Sequence, residues 1–107
     1  MMTKPTDDPV LQRFRMALDE MYGGDIERVV LFGSRARGDG HDDSDYDVAI
    51  FLKSSPDRSK ERRRLANLRV RFLDDAGAFF DAKPFPVVAY LDQTPLMYEI
   101  RRDGLEL

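Results

Sequence analysis

The chain has no cysteine and one histidine, His41, among its 107 residues. Without cysteine there is no disulfide framework, thiolate nucleophile or zinc–thiolate site. A lone histidine in a loop of turn-forming residues builds neither a histidine metal cluster nor a Ser-His triad. Long apolar runs are also missing, with nothing near the ~20 residues that span a bilayer. The stretch Met1–Pro9 is polar and acidic, unlike a secretory signal. Neither sign of charge dominates: 17 basic residues stand against 20 acidic ones, for a net charge of −3. That balance gives no support to a general nucleic-acid binder, although it leaves room for a local basic patch. These absences predict a soluble cytoplasmic protein. No internal repeat or low-complexity tract divides the sequence, so residues 1–107 read as a single small domain with residues 1–7 as a loose tail.

What is present is a sequence 42% hydrophobic and 35% charged, globular but rich in charge. Asp8-Pro9 is a helix start, with Asp at the N-cap and Pro at the first helical position. Val10, Leu11, Phe14, Ala17, Leu18 and Met21 follow at helical spacing up to Gly23-Gly24. Arg28–Phe32 reads as a buried strand, Ser34–Arg37 as one or two helical turns, and Gly38–Ser44 as a turn-rich loop. Asp45–Leu52 is the second strand, broken by Ser54-Ser55-Pro56-Asp57. A long helix runs roughly from Arg58 to Ala76 or a little beyond, with Leu65, Leu68, Phe72 and Ala76 as its buried stripe and Phe79 continuing it if the helix passes Gly77. Phe85–Leu91 reads as a third strand, its Pro86 pointing to a sheet edge. Thr94-Pro95 then caps a last helix carrying Leu96, Met97 and Ile100, with Met97 and Tyr98 as packing residues, and Gly104 ends it. The order α-β-α-β-α-β-α predicts an α/β (α+β) fold, a small mixed sheet of three or four strands packed with about four helices.

Within this frame Gly33-Ser34, ten further residues, and then Asp45-Tyr46-Asp47 stand out. Paired acids are common in solvated loops. These two open a strand whose other residues are apolar. Alternation puts Asp45, Asp47, Ala49 and Phe51 on one face and Tyr46, Val48, Ile50 and Leu52 on the other. The two acids then project together, about 6.6 Å apart. Carboxylates that close repel each other, and hard oxygen ligands of this kind suit Mg²⁺ or Mn²⁺. The Gly-Ser turn upstream allows close approach of backbone to phosphate and offers a hydroxyl donor.

The segments Leu31-Phe32-Gly33-Ser34-Arg35-Ala36-Arg37-Gly38 and Ser44-Asp45-Tyr46-Asp47-Val48-Ala49 closely resemble the minimal nucleotidyltransferase domains of the DNA polymerase β-like nucleotidyltransferase superfamily. The tail Pro95–Gly104 is similar to that family's closing helix, so the resemblance covers roughly residues 26–107. It implies that Asp45 and Asp47 hold Mg²⁺ (or Mn²⁺) against a nucleoside triphosphate, and that Gly33 and Ser34 contact its phosphates. It further implies transfer of AMP from ATP onto a hydroxyl, in small stand-alone members a tyrosine of a HEPN-type toxin ribonuclease, with the chain as antitoxin.

The family usually has a third carboxylate on the later strand. Phe85–Leu91 contains none; Asp81 and Asp92 flank it, and Asp81, which precedes it, is the better candidate. Its simpler reading is a polar residue ending a helix. Arg35 and Arg37 flank the turn, as phosphate ligands or as solvated loop arginines. Arg58, Lys60, Arg62, Arg63, Arg64, Arg69 and Arg71 make the long helix basic, which reads first as a wet helix face. The missing third acid keeps open an inactive module that neutralises its partner by steric masking. A third reading, transfer to a small molecule such as an aminoglycoside, requires a helper domain.

Overall fold

Two apolar strands, β1 (Ile26–Phe32) and β2 (Tyr46–Leu52), form the centre of the protein and pair antiparallel. The computed structural model describes residues 4–39, 45–54 and 57–107. His41, the rest of the 40–44 loop, and Ser55-Pro56 lie outside them. The four-stranded mixed sheet has the order β3-β2-β1-β4. β3 (Phe80–Pro86) runs parallel to β2, and the short β4 (Leu105–Glu106) lies antiparallel to β1. The α+β architecture expected from the sequence is therefore present, with a fourth strand that two residues at the chain end gave no pattern to predict.

Each face of the sheet has its own core. On one, α1 (Pro9–Tyr22) and α3 (Arg58–Ala76) bury Leu11, Phe14, Leu18, Leu65, Leu68 and Phe72 against Val29, Leu31, Tyr46, Val48, Ile50 and Leu52. On the other, α4 (Pro95–Asp103) and the 3-10 segment Val87–Leu91 cover Val30, Phe32, Ala49, Phe51 and Phe85 with Ala89, Met97 and Ile100. β2 is thus buried on both sides, and the split of its residues between the faces is the one alternation predicts. The helix starts are capped by side chains: Asp8 accepts from Val10 N–H, Asp57 from Lys60 N–H and Thr94 from Met97 N–H.

The third strand differs from the sequence reading. It covers Phe80–Pro86, and Val87–Leu91, expected to be strand, is a 3-10 turn. The physical reason lies in the edge position. Tyr46 N–H donates to Phe79 C=O, so by alternation the odd-numbered residues of β3 face β2 and the even ones face the open edge. Pro84 and Pro86 fall on the open side, where a missing N–H costs the ladder nothing. α3 stops at Ala76 with Gly77 in the left-handed region, so Phe79 does not extend its buried stripe and is half exposed. Tyr98 is exposed as well, while Met97 packs as expected. Among the described residues no helix is long and apolar enough to cross a membrane.

Phe80 ties β3 to the helical face. Its ring stacks on Phe14 (centroids 3.8 Å) and Tyr46 (4.5 Å) and meets Phe72 edge-on (5.4 Å). Phe80→Ala is expected to cost about 3–5 kcal/mol, the range for emptying a buried aromatic site. Urea denaturation monitored by circular dichroism checks this, and a loss under ~1 kcal/mol contradicts the packing role.

Candidate functional site

One row across the sheet sets the site. Phe32 of β1 pairs with Asp47 of β2, and Asp47 pairs with Asp81 of β3. Neighbouring strands lie about 4.8 Å apart, so two carboxylates leave adjacent backbones side by side on the face that carries α4. The Tyr46 N–H···O=C Phe79 bond, at 2.8 Å, continues the ladder backwards and brings Asp45 alongside Phe79. Asp81 is therefore a strand residue in register with Asp47, and not the end of a helix. The expectation that the third strand lacks an acid followed from placing that strand five residues too late.

The Gly33-Ser34 turn closes over Asp47 from the β1 side. Gly33 has φ +75°, and a Cβ at this position would overlap the Asp47 carboxylate. Both the backbone angle and the close approach call for glycine. Its carbonyl accepts from the N–H groups of Ala36 and Arg37, both at 3.1 Å, and so starts α2 (Ser34–Arg37). Ser34, at the first position of α2, is half-buried.

The Asp47 carboxyl is held above the usual carboxylate range. Burial is the main cause and the Asp81 charge the next; Asp45 and Glu99 add to it, and Lys83 opposes it. Two participants here escaped the sequence reading. Glu99 reaches the site from α4. Lys83, two residues beyond Asp81 on the same strand face, places its ammonium 2.8 Å from Asp81 Oδ2. Neither was legible while β3 was misplaced and the facing of α4 unknown.

The two arginines separate. Arg35 stacks its guanidinium 3.9 Å from the Tyr46 ring centroid and pairs with Asp8 at 4.0 Å, on the sheet face opposite the acids. Tyr46 O–H donates to the same Asp8. Arg37 is exposed and pairs with Asp39 at 3.4 Å. On α3, Arg64 bonds the buried Glu61 at 3.0 Å and the Met21 carbonyl, while Arg58, Lys60, Arg62, Arg63, Arg69 and Arg71 are exposed. A cleft of about 350 Å³ borders the acids, where Asp45 and Asp81 meet Arg69, Val70, Leu73 and Phe79.

The donor set is entirely carboxylate oxygen, of the kind hard divalent ions prefer. Among the described residues no three acidic or imidazole side chains already form a ligand group for a metal, since Asp81 is turned to Lys83. Mutual repulsion at Asp47 and an ammonium already resting on Asp81 both mark a place that takes positive charge. In donor chemistry, though not as an assembled ligand group, Asp45, Asp47 and Asp81 suit a hard divalent cation.

The family described as "Nucleotidyltransferase domain" matches residues 11–83, which include the turn and all three acids. Two proteins of Methanocaldococcus jannaschii, each described as a "putative protein adenylyltransferase", are 33% identical over 63 residues (59% of this chain, 63% of the relative) and 41% identical over 44 residues (41% and 44%). The matched segments thus span less than two thirds of those relatives. Among solved structures, a toxin-antitoxin complex with AMP-PNP superimposes with a TM-score of 0.63 at 18% identity, covering 89% of this chain and 70% of that one. A mutant form of the toxin-antitoxin MntA-HpeT gives a TM-score of 0.62 at 16% identity, with the same coverage. At such identities the likeness is one of fold.

Because folded Asp47 holds its proton to higher pH than the unfolded chain does, its ionisation weakens the metal-free fold. The loss begins as pH rises above the ordinary carboxylate range and is complete above the raised value. Asp47→Asn is therefore expected to raise the Tm of the chelator-treated protein at pH 7 by about 2–4 °C, a solvent-screened fraction of a kcal/mol. The gain should vanish by about pH 3, below the ordinary carboxylate range. Differential scanning calorimetry across that range tests the sign; a variant less stable at pH 7 than the parent contradicts it. Gly33→Ala is expected to cost about 1–3 kcal/mol through its left-handed backbone alone, before the overlap with Asp47 is counted.

Proposed function

This chain belongs to the nucleotidyltransferase domain family, and on that premise we propose that it moves AMP from ATP onto the hydroxyl of a partner protein. The observation that carries the reading is the in-register pairing of Asp47 with Asp81, with the Gly33 turn pressed against the first of them. Asp45, Asp47 and Asp81 would hold Mg²⁺ or Mn²⁺, which supplies charge neutralisation at the phosphates when bound. Gly33 and Ser34 take the triphosphate through backbone N–H and hydroxyl donors. Arg37, on the exposed side of α2, is the arginine placed to add charge there, whereas Arg35 braces Tyr46 and Asp8 beneath the turn.

The reaction is an in-line displacement at the α-phosphorus. The acceptor oxygen forms a bond to phosphorus as the bond to the β-phosphate bridging oxygen breaks, and pyrophosphate leaves. Asp81, which lines the open cleft together with Asp45, accepts the proton of the attacking hydroxyl. The apolar side chains of Val70, Leu73 and Phe79 beside it suit an aromatic acceptor, and a tyrosine of a HEPN-type toxin is the acceptor we propose, with this chain as antitoxin. The toxin-antitoxin neighbours support that assignment by fold. The masking alternative drew on the absence of a third acid, a support it loses with Asp81 on β3. Among the described residues of the cleft none favours the small-molecule alternative.

Intact-mass measurement after mixing the protein, ATP, Mg²⁺ and the product of the neighbouring reading frame tests the proposal. One adenylyl increment on the partner is expected, with the rate reduced about 10²-fold or more in Asp45→Asn, Asp47→Asn and Asp81→Asn, as for loss of other transition-state charge contacts. A stable complex whose partner keeps its mass, and whose toxicity stays suppressed by all three variants, overturns transfer in favour of masking.

A further inference from the structure

We propose that Lys83 is a built-in counter-cation of the acid cluster, resting on Asp81 until a divalent ion takes its place and thereby setting the threshold for metal entry. The inference rests on the reading that Asp47 and Asp81 hold such an ion. Lys83 and Asp81 are two residues apart on β3, so both side chains leave the same face. The ammonium–carboxylate distance is 2.8 Å, with the two side chains 41% and 45% exposed. A pair so open to water is weak and readily exchanged. Across the ladder Lys83 faces Ala49, which has no polar group to hold it elsewhere.

A lysine on an edge strand has a plain alternative role, keeping that edge from pairing with another chain. That role asks only for a charge somewhere on the strand. It does not ask for one on the acid side, engaged with the residue paired to Asp47, and opposing the crowding that Asp47 feels. A positive charge at that spot has the same sign as the incoming metal and occupies one of its ligands. It therefore holds the acids together in the metal-free protein and weakens the first binding of metal.

The test uses Mn²⁺ alone as probe, without nucleotide, with affinity read by calorimetry or by the free-ion electron paramagnetic resonance signal. Lys83→Met is expected to bind Mn²⁺ about three- to tenfold more tightly than the parent, as loss of one partly screened charge implies. Its Tm in chelator should fall, while the rise in Tm on adding Mn²⁺ grows. Lys83→Arg should behave as the parent, and so should Lys60→Met, which changes net charge equally from an exposed position on α3. If the parent binds Mn²⁺ through Asp47 and Lys83→Met binds it no more tightly, or Lys60→Met gains as much, the counter-cation role is wrong and the metal site stands. If neither the parent nor Lys83→Met takes up Mn²⁺, the metal reading fails and this inference with it.

Discussion

Two carboxylates paired across a parallel ladder, Asp47 and Asp81, are the constraint around which the rest is arranged. Side by side on neighbouring strands, two like charges repel, and a positive charge between or beside them relieves the repulsion. Every unusual local feature can be traced to that demand. Gly33 gives up a side chain because Asp47 fills the space. Lys83 bends its ammonium to Asp81. The Asp47 proton is held more firmly than usual by burial and by its neighbour's charge. Like charges held this close cost the fold stability, and a cation bound to the folded state would offset that cost.

The two faces of β2 separate stability from chemistry. Tyr46, Val48, Ile50 and Leu52 are buried under α1 and α3, where the Phe14–Phe80–Tyr46 stack holds the edge strand in place. Asp47 lies on the other face, at the strand end that Ala49 and Phe51 anchor beneath α4. Because one strand carries both sets, packing on the first face fixes the register on the second, and a one-residue slip would bury Asp47 and expose Tyr46. Arg35 belongs to this bracing. It clamps the Tyr46 ring and Asp8 from beneath the Gly33-Ser34 turn, so the turn is tied to the N-cap of α1 as well as to β1.

The sequence was most legible where pattern and burial agree. The period-two alternation of residues 46–52, the capped starts of α1 and α4, and Leu65, Leu68 and Phe72 on α3 all take the form that local chemistry predicts. The third strand was not legible, for a physical reason. Residues 80–86 include an acid, a lysine and two prolines, while residues 87–91 hold two valines and a leucine, so intrinsic β-preference points to the wrong segment. Edge position reverses that preference: one ladder suffices, the prolines face outward, and the charged pair Asp81 and Lys83 stays near solvent. Val87–Leu91 instead turns the chain back across the sheet, with Ala89 buried and Val88 and Leu91 exposed. The misplacement also hid Asp81, since its role is visible only once its register against Asp47 is known.

That the third acid sits on an edge strand has a mechanistic consequence. A central strand would enclose the carboxylate between two neighbours and leave no approach for a second substrate. On the edge, Asp81 has Asp47 on one side and the cleft with Val70, Leu73 and Phe79 on the other. The Gly33-Ser34 turn occupies the opposite end of the row. On the reading proposed above, a nucleotide over Gly33 and Asp47 and a hydroxyl arriving past Phe79 would approach Asp81 from different sides. On that reading few of the described residues form the acceptor side, and most of the selection for an acceptor would come from the protein that presents it.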